Sequence, residues 1–202
     1  MEKAKSYQQL LAEHCTSIVQ QVLEDMEKNR FHVGTTPIPV PKSPILYRWW
    51  FPEKSAVMDI LTQFSHRDAE MATLLQQFET RKIENKTYYA LYFGKSNNGY
   101  RRYIQHSTGN VHTSTLRHTM YGLCLTEKGE KQYIKERDKE EITRMLQECY
   151  YEWIPFENED KLVECVESIC IALGKYPLNV DGNPAISDQW REYVMDKRKL
   201  KE

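Results

Sequence analysis

Apolar side chains recur at helical spacing between residues 6 and 29, at Leu10, Leu11, Ile18, Val19, Val22, Leu23 and Met26, on an otherwise polar segment. The period predicts an amphipathic helix. Prolines at 37, 39, 41 and 44 then forbid a helix and favour an extended connector. Ile45-Leu46-Tyr47-Arg48-Trp49-Trp50-Phe51 is dense in β-branched and aromatic residues and stops at Pro52, so it reads as a strand. Two helices are expected next. Ser55 caps the first, with Val57, Met58, Leu61 and Phe64 on one face, and Met71, Leu74, Leu75 and Phe78 mark the second, which ends near Arg81.

Tyr88 to Phe93 is again aromatic and apolar, ends at Gly94 and predicts a buried strand. Turn chemistry at Lys95-Ser96-Asn97-Asn98-Gly99 leads into a short helix from about Tyr100 to His106, with Arg102 and His106 on one face. Thr113 or Ser114 caps a further helix whose Leu116, Met120 and Leu123 form a stripe. Ile142, Leu146 and Cys149 mark a helix in the later part of 127–148, and Tyr150 to Phe156 reads as a third strand. Asn158 or Asp160 opens a helix through Leu173 that Gly174 closes, and Ser187 to Arg198 forms a last helix with basic final turns.

Composition narrows the setting. A chain of 202 residues, 40% apolar and 11% aromatic, buries a core without covalent staples. Its five cysteines, Cys15, Cys124, Cys149, Cys165 and Cys170, include no C-x-x-C pair, so neither a disulfide framework nor a zinc site is indicated. No apolar run approaches the ~20 residues of a membrane span, and the polar start holds no leader-like core. A cytoplasmic protein is expected. The net charge of −1 hides an uneven distribution: between Arg81 and Leu125, seven Lys and Arg residues face the single acid Glu84. His106, His112 and His118 lie among them, and residues 127–167 are acidic. A basic segment rich in Tyr, Asn, Ser and Thr suits a phosphate backbone; a solvated face is the plainer reading.

Helical geometry separates two carboxylates. With Val166 at the centre of the stripe Leu162, Val163, Val166, Ile169, Cys170 and Leu173, Glu167 falls on its flank and Glu164 almost opposite. Glu164 should face water, whereas Glu167 can be held rigidly and still reach an ion.

The order of these features resembles the GIY-YIG nuclease superfamily. It consists of a strand beginning Ile45-Leu46-Tyr47, a strand carrying Tyr92-Phe93-Gly94-Lys95, a helix with Arg102 and a later helix with Glu167. Arg102 stands eight residues after Gly94, His106 four after Arg102, and Glu167 twelve before Asn179 in Tyr176-Pro177-Leu178-Asn179, all spacings of that family. The likeness covers roughly residues 44 to 180. Two departures stand out: Ile45 occupies the place of the family's first glycine, and 45 positions separate Tyr47 from Tyr92, where a short hairpin is usual.

The resemblance implies an α+β fold with a small, mainly antiparallel central sheet flanked by helices. The boundaries expected are an N-terminal helix and Pro-rich linker over 1–43, a nuclease domain over 44–182 with a helical insertion at about 53–82, and a C-terminal helix over 183–202. It also implies hydrolysis of DNA phosphodiester bonds, with double-stranded DNA as the expected substrate and Mg²⁺ or Mn²⁺ held by Glu167. Tyr47 is the leading general base, with Tyr92 orienting the nucleophilic water or helping to activate it. His106, which titrates near neutrality without tuning, is the alternative base. Lys95 would favour the phenolate, Arg102 would bind phosphate oxygens, Gly94 would shape the motif and Asn179 would secure the loop after the metal helix. Arg101, Ser114, Arg117 and His118 read as a substrate side, because a helix N-terminus with nearby Arg and His suits a phosphate; a capped core helix is the equal alternative. A silent nucleic-acid-binding module and an interaction domain that dimerises through its terminal helices are the competing functions.

Overall fold

The computed structural model describes residues 7–35, 38–125, 136–156 and 160–199. Thr36, Pro37, the start of the acidic stretch at 127–135, the expected cap Asn158 and the side chains of Leu10, Leu11 and Leu162 lie outside what is described.

Two strands dense in aromatic residues form the centre. β2 (Ile45–Pro52) and β4 (Lys86–Ser96) pair antiparallel with Tyr47 opposite Gly94, so the two motif strands are neighbours despite their separation in sequence. What lies between them is α2 (Ala56–Ser65), α3 (Ala69–Leu75) and β3 (Thr80–Ile83). β5 (Tyr150–Pro155) pairs with the other edge of β2, and β1 (Arg30–His32) pairs with β5. The sheet is five-stranded, antiparallel throughout, in the order β1-β5-β2-β4-β3.

Strand alternation divides the core in two. Ile45, Tyr47, Trp49 and Phe51 point to one face, where they meet Leu61 and Phe64 of α2, Leu116 and Met120 of α5 (Thr115–Leu125), Leu146 of α6 (Glu136–Gln147) and Trp190 of α8 (Asp188–Arg198). α4 (Gly99–Ser107) covers the same face through Tyr103. Leu46, Trp50 and Phe93 point to the other face, against Val22 and Met26 of α1 (Tyr7–Glu27) and Val166 and Cys170 of α7 (Asp160–Gly174). The α+β class is as expected, with the helices in two layers.

Three features differ from the sequence expectation. β3 is a polar strand, Thr-Arg-Lys-Ile, joined to β4 by a two-residue hairpin at Glu84 and Asn85, both at positive φ (50° and 64°), so the expected insertion ends inside the sheet. β1, at three residues, is too short to show a period. The C-terminal helix is integral: Trp190 is fully buried, and α8 lies so close to α5 that a Cβ on Gly122 would stand 2.7 Å from the Lys197 carbonyl oxygen.

A bulge decides which tyrosines share a face. Trp49 pairs with Tyr92 and Trp50 with Ala90, leaving Leu91 as the extra residue. Strict alternation from Tyr88 and Ala90 would send Tyr92 to the α1/α7 face; with the bulge it joins Tyr47. The Leu91 carbonyl accepts the Leu178 amide at 3.0 Å, which lays the segment after α7 along the free edge of β4.

Candidate active site

Four elements meet over the β2–β4 pair. Tyr47 from β2 and His106 from α4 share a hydrogen bond of 2.8 Å, phenol oxygen to Nε2, and His106 Nδ1 lies 2.7 Å from Ser114 Oγ at the head of α5. The Tyr92 ring packs edge-on to His106 at 5.6 Å and tilted against Tyr47 at 6.3 Å. Register explains the closeness at the first motif: Tyr47 lies across Gly94, where a Cβ would stand 2.6 Å from the phenol oxygen. The isoleucine at the family's first glycine is accommodated in the same way, because Ile45 Cδ1 occupies the space a Cβ on Gly99 would need, at 2.7 Å.

Burial fixes the protonation states. His106 is completely inaccessible, and desolvation, then Arg102, then Arg117 hold it well below its ordinary pKa. It is neutral, and so able to accept a proton. Burial pushes Tyr47 well above 10, with Tyr92 adding to the rise and Arg102 opposing it. Tyr92 is raised for the same first reason, again opposed by Arg102. The resting tyrosines are therefore phenols, and a base must take the proton from either.

Arg102 is half-buried and its Nε is a buried donor that no acceptor meets among the described residues. An unmet buried donor is costly. Its charge reaches Tyr47, Tyr92, His106 and Glu167, so the guanidinium sits amid the set. Lys95 does not act on the tyrosines as expected: its Nζ pairs with Glu164 at 2.6 Å, on the outer side of α7. The cation beside the phenols is Arg102.

Glu167 accepts the Lys95 backbone amide on Oε1 at 2.9 Å, while Glu164 is largely exposed. Burial raises the Glu167 carboxyl, with Lys95 and Arg102 opposing. It lines a cleft of about 340 Å³ with Tyr92, Thr115, Asn179 and Asp181. Asn179 holds one wall: its Oδ1 accepts the Phe93 amide at 2.8 Å and its Nδ2 donates to the Phe93 carbonyl at 2.7 Å, as a strand edge would.

The expected substrate side is mostly internal. Arg101 is exposed, but Ser114 and Arg117 are buried, Ser114 between His106 and the Arg117 amide and Arg117 among backbone carbonyls. Neither can meet a phosphate without abandoning those bonds. His118 is half-buried, with Nε2 3.0 Å from the Arg198 carbonyl oxygen. Two residues of the site escaped the sequence analysis: Tyr151, which stacks on Tyr47 at 5.7 Å, and Asp181 in the cleft wall. Tyr151 was detectable as the partner of Trp49 once β5 was paired with β2; Asp181 carried no signal.

A family model described as the GIY-YIG catalytic domain matches residues 45–200, more than three quarters of the chain. The protein belongs to the GIY-YIG family. This is a family of endonucleases, and the match spans both motif strands, the α2–α3 excursion between them and α8. No curated protein and no solved structure matches the chain. Among the described residues no helix is long and apolar enough to cross a membrane, and no three His, Cys, Asp or Glu side chains cluster as a ready metal cage. A GIY-YIG site with one carboxylate still fits Mg²⁺, which keeps most of its water and takes phosphate oxygens as further ligands. The chemistry of Glu167 agrees: a partly buried carboxylate with one oxygen on a backbone amide, no ion pair among the described residues, and a place in the wall of the cleft.

Proposed function

We propose that this protein is a metal-dependent endonuclease that hydrolyses DNA phosphodiester bonds with Tyr47 and His106 acting as one base. The observation that carries the reading is the 2.8 Å contact between a protonated phenol and a neutral, buried imidazole. The attacking water gives its proton to the Tyr47 oxygen as Tyr47 passes its own to His106 Nε2, so no free phenolate is needed. This requires His106 as the Nδ1–H tautomer, donating to Ser114 Oγ. Tyr92, which lines the cleft, orients the water. Arg102 donates to phosphate oxygens as charge grows, which supplies its Nε with the acceptor it lacks.

Glu167 would hold Mg²⁺ or Mn²⁺ at the cleft, where the ion would supply charge stabilisation at the phosphate. Arg101, exposed one residue from Arg102, meets a neighbouring phosphate, with double-stranded DNA as the substrate. The domain behind this activity is 44–182 with its insertion, completed by α8.

The test is nicking of supercoiled plasmid with Mg²⁺ or Mn²⁺ against an EDTA blank. Glu167→Ala and Tyr47→Phe are each expected to lower kcat by at least about 100-fold with binding retained, the range for one transition-state contact. Salt-sensitive binding without cleavage under any of these conditions would instead identify a silent nucleic-acid-binding module.

A further inference from the structure

Arg117 is buried completely, and burial pushes its guanidinium down to about 10, with no carboxylate paired to it among the described residues. A buried cation without a counter-ion is expensive, so its place calls for a reason. Its donors supply one. Nη1 reaches the carbonyl oxygens of Ser107 at 2.9 Å and His106 at 3.3 Å, and Nη2 reaches the Lys139 carbonyl at 2.8 Å and Thr143 Oγ1 at 3.0 Å. The first two carbonyls belong to the last turn of α4, where backbone oxygens have no helical partner and the helix dipole is negative. The backbone amide of Arg117 meanwhile donates to Ser114 Oγ at 3.1 Å, the atom that touches His106 Nδ1. One residue thus holds the backbone of His106 and the partner of its ring.

We propose that Arg117 is a positioning residue for the proton-accepting pair: it caps α4, ties that helix to α5 and α6, and fixes His106 and Ser114 against Tyr47. This inference rests on the nuclease reading above and replaces the phosphate contact first expected of Arg117. The groups that face His106 are Tyr47 and Trp49 from β2, Tyr92 from β4, Arg102 from its own helix, Ser114 just before α5 and Arg117 from α5. Of these only Arg102 and Arg117 carry charge at neutral pH, and both disfavour the imidazolium. Removing the Arg117 charge therefore moves the His106 pKa up, towards the ordinary histidine range.

The full chain carrying Arg117→Met tests this. The expected result is a kcat at least tenfold lower with DNA affinity and its salt dependence unchanged. The acid limb of the rate profile moves to higher pH by half a unit or more, and the His106 titration, followed by NMR without DNA, moves with it. Arg117→Lys, which keeps the charge, is expected to return the limb towards wild type. A loss of affinity with a shallower salt slope would show a phosphate contact and overturn the proposal. So would a lower kcat with both the limb and the His106 titration in place, the mark of a structural role alone. Should Arg117→Met not fold, Thr143→Val removes one anchor and keeps the charge; it is expected to lower kcat at constant affinity, and an unchanged kcat overturns the proposal. The NMR titration needs no cleavage, so a wild-type protein that cuts nothing would sink the nuclease reading while that measurement still decides the role of Arg117.

Discussion

At Gly94 a methyl group would stand 2.6 Å from the Tyr47 phenol oxygen, because register sets the two residues opposite each other and the ring leans across the strand. Gly94→Ala must push the phenol out of its 2.8 Å contact with His106. The expected outcome is a stability loss of about 1–3 kcal/mol by urea denaturation, the usual cost of overpacking, with a larger loss in single-turnover rate. A variant with wild-type kcat would show that the Tyr47–His106 contact does not matter. His106 makes a second prediction with a definite sign. Its pKa is depressed in the fold, so the unfolded chain binds the proton first, near the ordinary value of about 6.5. Stability is thus fully present above pH ~6.5 and falls as pH drops towards the folded pKa, by at most about 1.4 kcal/mol per unit. Thermal melts between pH 7.5 and 5 should show that slope in the wild type and a shallower one in His106→Gln. At this scale the sequence marked the residues but not their protonation: spacing singled out Tyr47, Tyr92, Arg102, His106 and Glu167, whereas the burial that makes His106 neutral and the turn of Lys95 towards Glu164 depend on neighbours far along the chain.

Elements rich in apolar side chains announced themselves, and those held by charge did not. β3 and β1 flank a ladder of ion pairs on the α1/α7 face. Glu152 of β5 bonds Arg48 Nη2 of β2 at 2.6 Å and also Arg30 of β1, while Arg48 Nη1 reaches Glu79, just before β3, at 2.6 Å. Arg81 of β3 binds both Glu79 and Glu27 of α1, and the Trp50 ring lies under Arg48, Arg81 and Arg30 at 4.5, 5.1 and 5.8 Å. Edge strands that carry Arg and Lys in place of a hydrophobic period give no strand signal, so the sequence does not separate β3 from the helical insertion before it. The ladder predicts unequal costs along its length. Glu152 and Arg48 are fully buried, so Glu152→Gln leaves a buried cation facing an amide and should cost about 3–5 kcal/mol. Glu79→Gln, with a side chain 30% exposed, should cost about 1 kcal/mol or less. Equal midpoint shifts in guanidinium denaturation would contradict this account of the sheet edge.

The whole molecule carries one set of Tyr47, His106, Arg102 and Glu167 against a net charge of −1, and both facts bear on how the proposed nuclease would cut DNA. A nearly neutral chain cannot attract DNA by overall charge, so the proposed activity calls for local attraction at Arg101 and Arg102, which should weaken with salt in proportion to the few phosphates it neutralises. In the proposed mechanism one such constellation hydrolyses one strand per encounter. Cutting both strands requires a second visit or a twofold partner that presents its own site to the other strand. For a chain acting alone, supercoiled plasmid at limiting protein should pass into nicked circles that accumulate before any linear product, and linear DNA should appear only after a lag. The nicking rate should be first order in protein concentration and fall as salt rises. Linear product formed from the outset, with a rate that climbs as the square of protein concentration, would instead make the cutting unit a dimer, each copy supplying one Tyr47–His106 pair.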